Sequence, residues 1–143
     1  MQITVASFAA VDVFVVYRSA TCSPKTVVDI VSSMLNLQKS VLVCGDINIC
    51  FKEHRNNGLI RFFLTHGFKQ IVSKATHIEG GLIDHVYFSK GDQNLNAHVS
   101  LYSPYYTAND HDALCIELTE PLATTEDKVS LDYTAIDNNV FIF

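Results

Sequence analysis

An apolar run, a helical repeat and a second apolar run follow one another in the first third of the chain, and that order constrains the fold more than any other feature. Val11-Asp12-Val13-Phe14-Val15-Val16-Tyr17 is rich in β-branched and aromatic residues and stops at the polar stretch Arg18 to Ser23. It reads as a buried strand. With Ser23 as N-cap and Pro24 at the first helical position, Val27, Ile30, Val31, Met34 and Leu35 recur at helical spacing, which predicts an amphipathic helix from Pro24 to about Leu37. Val41-Leu42-Val43-Cys44 is a continuous apolar run of strand length that empties into a loop at Gly45-Asp46. Leu59 to Leu64, closed by Gly67 after a turn containing His66, has the form of a second helix with a glycine C-cap. Strands are expected at Ile83 to Phe88 and Ala113 to Leu118, with a shorter one around His98 to Tyr102. The class is α/β, a mixed β-sheet with flanking helices.

A chain of 143 residues suits one domain and excludes two. The longest apolar candidate, Ile3 to Tyr17, is interrupted by Thr4, Ser7 and Asp12 and is too short to span a bilayer. It also lacks the basic flank and cleavage site of a signal peptide, so the expected location is intracellular, with the nucleus compatible. Cys22, Cys44, Cys50 and Cys115 form no C-x-x-C, and Cys44 and Cys115 sit in apolar runs, as buried reduced thiols do. The formal charge of -5 is uneven: residues 1–118 hold 9 Lys and Arg against 10 Asp and Glu, whereas residues 119–143 hold one Lys against 5 acids. The expected organisation is a body over 1–118 and an acidic, weakly structured tail over 119–143. A near-neutral body neither excludes nor recommends a phosphate-bearing partner.

The six glycines supply neither G-x-G-x-x-G nor G-x-x-x-x-G-K-[ST], and no G-x-S-x-G or H-E-x-x-H is present. The histidines lie eight or more residues apart, which disfavours a structural zinc finger. Three short clusters remain, each at the end of a strand-like run: Gly45-Asp46-Ile47-Asn48, Asp84-His85 and Asn109-Asp110-His111-Asp112. Asp46 and Asn48, two apart, would point the same way from an extended segment. Taken singly, each cluster has a plain reading as a loop cap or an Asx-turn. Phe62, Phe63 and Phe68 read as core, and His77 as a residue ordering the Gly80-Gly81 turn.

Together the clusters resemble one family. Val41 to Asn48 is similar to the G-D-x-N motif of the endonuclease/exonuclease/phosphatase superfamily, whose fold is deoxyribonuclease-I-like. Gly81 to Ser89 is similar to its I-D-H strand, and Asn109-Asp110-His111 to its S-D-H. Val16-Tyr17-Arg18-Ser19 and Thr76 to Gly81 resemble elements of the endonucleases carried by transposable elements. The resemblance runs from about Val11 to Leu118 and corresponds to the C-terminal half of that α/β sandwich.

The resemblance implies a phosphodiesterase that hydrolyses nucleic acid, DNA more readily than RNA, with Mg²⁺ or Mn²⁺. By residue, it implies that Asp46 orients and deprotonates the attacking water and that Asn48 fixes that water or a phosphate oxygen. His111 would bind phosphate, Asp84 would orient and charge His111, Tyr17 would reach the scissile phosphate, and Asp110 would sit at the metal. A hard cation prefers oxygen ligands, and a His–carboxylate pair supplies an oriented, chargeable donor. Nothing before Tyr17 matches the Asn and the metal-binding Glu of the family's first half. The chain is therefore expected to be a poor nuclease by itself, with one sheet whose inner face is bare and open to self-association or to a complementing first half. The competing readings are a catalytically silent α/β association module and a phosphatase of small phosphoesters or inositol lipids.

Overall fold

The computed structural model describes residues 1–36, 38–89, 91, 95–102 and 110–120, together with the backbone of residues 140–142. The elements in chain order are β1 (Gln2–Ser7), β2 (Val11–Tyr17), α1 (Pro24–Met34), β3 (Ser40–Asp46), α2 (Gly58–Thr65), β4 (Lys69–Gln70), β5 (Asp84–Ser89), β6 (Asn96–Tyr102), β7 (Ala113–Thr119) and β8 (Val140–Ile142). The mixed α/β class is as the sequence predicts.

A five-stranded sheet has the order β1-β2-β3-β5-β4. β2 and β3 are parallel, with Val11 opposite Ser40, because the crossover helix α1 returns the chain to the end from which it started. The remaining pairings of this sheet are antiparallel, and they set Asp46 of β3 opposite Asp84 of β5. Alternation along the central strands divides the apolar residues between two faces. Phe14 and Val16, Val41 and Val43, and Tyr87 face the helices, where Val27 and Val31 of α1 and Leu59, Ile60 and Phe63 of α2 cover them. Phe63 stacks on Tyr87 with centroids 4.4 Å apart, so the phenylalanines expected in the core are there.

The other face is not bare. Val11, Val13, Leu42, Cys44, Val86 and Phe88 pack in one cluster with Leu95, Leu114, Ile116 and Leu118. The latter belong to, or lead into, a second sheet of order β6-β7-β8, antiparallel throughout. This corrects the expectation of a single sheet lacking a partner, and with it the ground for self-association through that face. Leu114, Ile116 and Leu118 recur every second residue, so β7 has one apolar face of its own and folds back over the first sheet rather than extending it.

Residues 121–139 of the acidic segment lie outside the described residues, but at its end β8 pairs with β7, Phe141 opposite Ile116. Helix α1 starts at Pro24 as expected, although the Ser23 side chain makes no capping hydrogen bond. The strand β3 runs through Gly45 instead of ending before it. Gly45 has φ +128°, and a Cβ there would stand 2.1 Å from the Val16 carbonyl oxygen, so glycine alone fits this close approach of β3 to β2. All four cysteines are free, and burial pushes the Cys44 thiol up to about 12, leaving it inert. Among the described residues no helix is long and apolar enough to cross a membrane.

Candidate active site

Asp46 and Asp84 sit where two neighbouring strands leave the core, and the antiparallel register makes them direct neighbours. After Asp46 the chain turns sharply. Asn48 adopts φ 53°, a left-handed conformation that asparagine tolerates better than most residues. Its backbone N–H donates to Asp46 Oδ1 at 2.9 Å and its Nδ2 donates to Asp46 Oδ2 at 2.9 Å. The expectation that the pair points the same way from an extended segment is therefore corrected. The turn folds Asn48 back onto the carboxylate, so the loop-cap role and the paired polar groups coexist.

Arg18 holds this turn in place. It is only 3% exposed. Its Nε donates to the Ile47 carbonyl at 2.6 Å, Nη2 to the Asn48 carbonyl at 2.9 Å, and Nη1 to the carbonyls of Ser19 (3.1 Å) and Cys22. The Arg18 N–H also donates to the Asp46 carbonyl at 2.9 Å, and Asn48 Nδ2 to the Arg18 carbonyl at 3.0 Å. One buried guanidinium thus fastens the end of β2 to the Asp46–Asn48 turn. The sequence singled out Arg18 only as part of the Val16 to Ser19 element; a lone basic residue directly after a buried strand was the available signal.

The third side comes from two short segments paired across each other. Ile78 N–H donates to the Asp110 carbonyl and Asp112 N–H to the Thr76 carbonyl, both at 2.8 Å, which sets His77 opposite His111. The buried Thr76 hydroxyl oxygen accepts from the Ile83 and Asp84 amides at 3.3 and 3.1 Å and so steadies the start of β5. His111 Nδ1 lies 2.8 Å from Asp84 Oδ2. A carboxylate only accepts, so the proton is on Nδ1 and Nε2 points away. Burial pulls the His111 ring down, but the hydrogen bond to Asp84 and the charges of Asp84, Asp46 and Asp110 outweigh it, and its pKa lies above the ordinary 6.5. Asp46 is also raised above its ordinary 3.8. Burial and the charge of Asp84 prevail there over the Asn48 amide and over His111 and Arg18.

Tyr17, half exposed, joins Asp46, Asp84, Asp112 and Leu114 in lining a recess of about 320 Å³. Asp46 and Asp84 thus meet Tyr17 at one recess, and Asn48 and His111 join them through hydrogen bonds to the two carboxylates without lining that recess themselves. Asp110 stands to the outside. Its side chain is 70% exposed, 3.6 Å from His77 Nε2 and 3.9 Å from His111 Nε2. His77 does order its turn, accepting the Glu79 amide on Nδ1 at 3.2 Å and the Gly80 amide on its carbonyl at 2.8 Å, and it also faces Asp110, which the sequence did not reveal. Asn109 lies outside the described residues. His85, beside Asp84 in sequence, is fully buried against Tyr87 and Ile49 on the helix-covered face and has no part in the recess.

The magnesium or manganese assigned to Asp110 does not fit the donors around it. His77, Asp110 and His111 offer two imidazole nitrogens and one carboxylate within 4.8 Å of one another, whereas Mg²⁺ requires oxygen ligands in near-octahedral array. In comparisons with known proteins, no family model, curated protein or solved structure matches this chain.

Proposed function

We propose that this chain carries the C-terminal half of a deoxyribonuclease-I-like phosphodiesterase, acting on nucleic acid by hydrolysis. The observation that carries the reading is the pairing of the Asp84–His111 dyad, closed at 2.8 Å, with an Asp46 whose carboxylate is clasped by Asn48. Those two units supply a base and an oriented cationic donor for an in-line attack on a phosphodiester. Asp46, a stronger base than an ordinary carboxylate, accepts the proton of the attacking water, and Asn48 keeps its lone pairs aimed. His111, its charged form favoured by Asp84, presents Nε2–H to a non-bridging phosphate oxygen and stabilises the charge that develops there. Tyr17 contributes a hydroxyl at the mouth of the recess.

The site is acidic, with Asp46, Asp84 and Asp112 around one recess, so an anionic substrate needs further positive charge. The divalent cation that the resemblance implies finds no all-oxygen ligand set around Asp110, and the reading looks to the complementing half for further ligands. The test is nicking of plasmid DNA in Mg²⁺ or Mn²⁺ by the chain alone and when co-expressed with a first half from an endonuclease of the resembled type. Cleavage near background for the chain alone, a rise on complementation and loss of that rise in Asp46→Ala are expected. A complemented protein that stays inert, or a gain that survives Asp46→Ala, would overturn the reading in favour of a silent association module.

A further inference from the structure

We infer that His77, Asp110 and His111 form a binding site for a borderline divalent transition-metal ion such as Zn²⁺ or Co²⁺, distinct in ligand chemistry from any magnesium site. The backbone pairing of His77 with His111 brings the two rings edge to face at 5.0 Å, with the Nε2 atoms turned towards the two oxygens of Asp110. With one ligand atom taken from each residue the three lie within 4.8 Å of one another, against about 3.4 Å between neighbouring ligands of a tetrahedral zinc, so closing the site takes rotation of the exposed Asp110 side chain between the two rings.

Two features go beyond proximity. Asp84 accepts the Nδ1 proton of His111, the carboxylate–histidine arrangement that orients a ring for coordination through its other nitrogen and raises its basicity. Two imidazoles with one carboxylate also form a donor set suited to zinc or cobalt rather than to a hard ion. On binding, His111 releases its Nε2 proton to solvent and keeps Nδ1–H on Asp84. His77 Nδ1 accepts from the Glu79 amide, so the ring carries its proton on Nε2; coordination there moves that proton to Nδ1 and costs the 3.2 Å contact, which lies in an exposed turn. A fourth ligand is water, since Asp110 is open to solvent.

The consequence rests on the proposed hydrolytic reading: an ion on His111 Nε2 takes the atom that would meet the phosphate, so zinc inhibits. Binding itself is independent of that reading. The experiment is titration of Co²⁺ into the whole chain, followed by visible d–d absorption, with the imidazole proton resonances recorded in parallel with Zn²⁺. One ion per chain, selective perturbation of the His77 and His111 rings, loss of stoichiometric binding in His77→Ala and retention in a Cys22→Ser, Cys50→Ser double variant are expected. Asp84→Asn should weaken affinity about 10- to 100-fold. Millimolar Mg²⁺ should not displace the cobalt. Absence of stoichiometric binding, loss of it in the cysteine variant, displacement by Mg²⁺, or perturbation of other histidine rings instead would overturn the assignment. Because the spectra need no turnover, an inert nuclease with an intact cobalt spectrum would separate failure of the hydrolytic reading from failure of this one.

Discussion

His85 and His111 each follow an aspartate in the sequence, and each ring has a hydrogen-bonded partner, yet the fold gives them opposite properties. The His85 ring, on β5, is fully buried. Its Nε2 lies 2.8 Å from the Ile49 carbonyl, which can only accept, so Nε2 bears the proton and Nδ1 takes the hydrogen bond of the Tyr87 hydroxyl at 2.9 Å. Phe51 meets the ring edge-on at 5.8 Å. Burial outweighs the hydrogen bonds to the Ile49 and Leu82 carbonyls and lowers its pKa to about 4. His111, at the rim, answers to the Asp84 carboxylate and is raised instead. An Asp-His dipeptide therefore says little about charge; the partner and the depth of burial decide it.

The largest test of that contrast is His111→Ala in the complemented cleavage assay. Removal of the charged donor should lower kcat/KM by about 10²- to 10⁴-fold with little change in thermal stability. A comparable loss of folded protein would instead place His111 among the structural residues with His85.

Stability against pH separates the two rings by sign. His85 is depressed in the native state, so between pH 6.5 and about 4 the unfolded chain takes up a proton that the folded ring refuses, and stability falls by ~3 kcal/mol as the pH drops through that window. His111 is raised, so its contribution is fully present below 6.5 and is lost as the pH rises through its folded value. Urea unfolding across this range should show that His85→Leu flattens the acid side, whereas His111→Asn alters only the neutral-to-alkaline side. Identical slopes in wild type and His85→Leu would mean that the buried ring does not titrate as its surroundings require.

The smallest expected effect comes from Asp84→Asn, which leaves His111 in place but removes the charge behind it. The loss of a charge-assisted hydrogen bond, about 1.5 to 3 kcal/mol, should cost roughly 10- to 100-fold in kcat/KM. The wild-type profile should rise through the Asp46 pKa and fall through that of His111, and the alkaline limb should move to lower pH in the variant. An unmoved alkaline limb would detach Asp84 from the charge of His111.

Much of the architecture could be read from local pattern. β2, α1, β3 and α2 appear within a few residues of their expected bounds, because alternation, a proline at the helix start and a glycine past the helix end act over short range. β1 was hidden inside the stretch Ile3 to Tyr17, where Thr4 and Ser7, two of the residues that break the apolar run, occupy an edge strand with largely exposed side chains. β8 was hidden for a different reason. Three residues of strand gain meaning only from pairing with β7.

In the site, the sequence by itself determined which side chains were available and that the strand ends would carry them: Asp46, Asn48, Asp84, Asp110, His111 and Tyr17 are each legible as polar residues at the close or start of apolar runs. Tertiary structure alone decided how they meet. The clasp of Arg18 on the Asn48 turn and the convergence of His77 with Asp110 and His111 depend on contacts between residues about 30 apart in the chain. The partition of β6 and β7 into a second sheet was equally invisible, since an alternating strand fits either sheet equally well. What settles it is which apolar face is left to be covered, and only the assembled core contains that information.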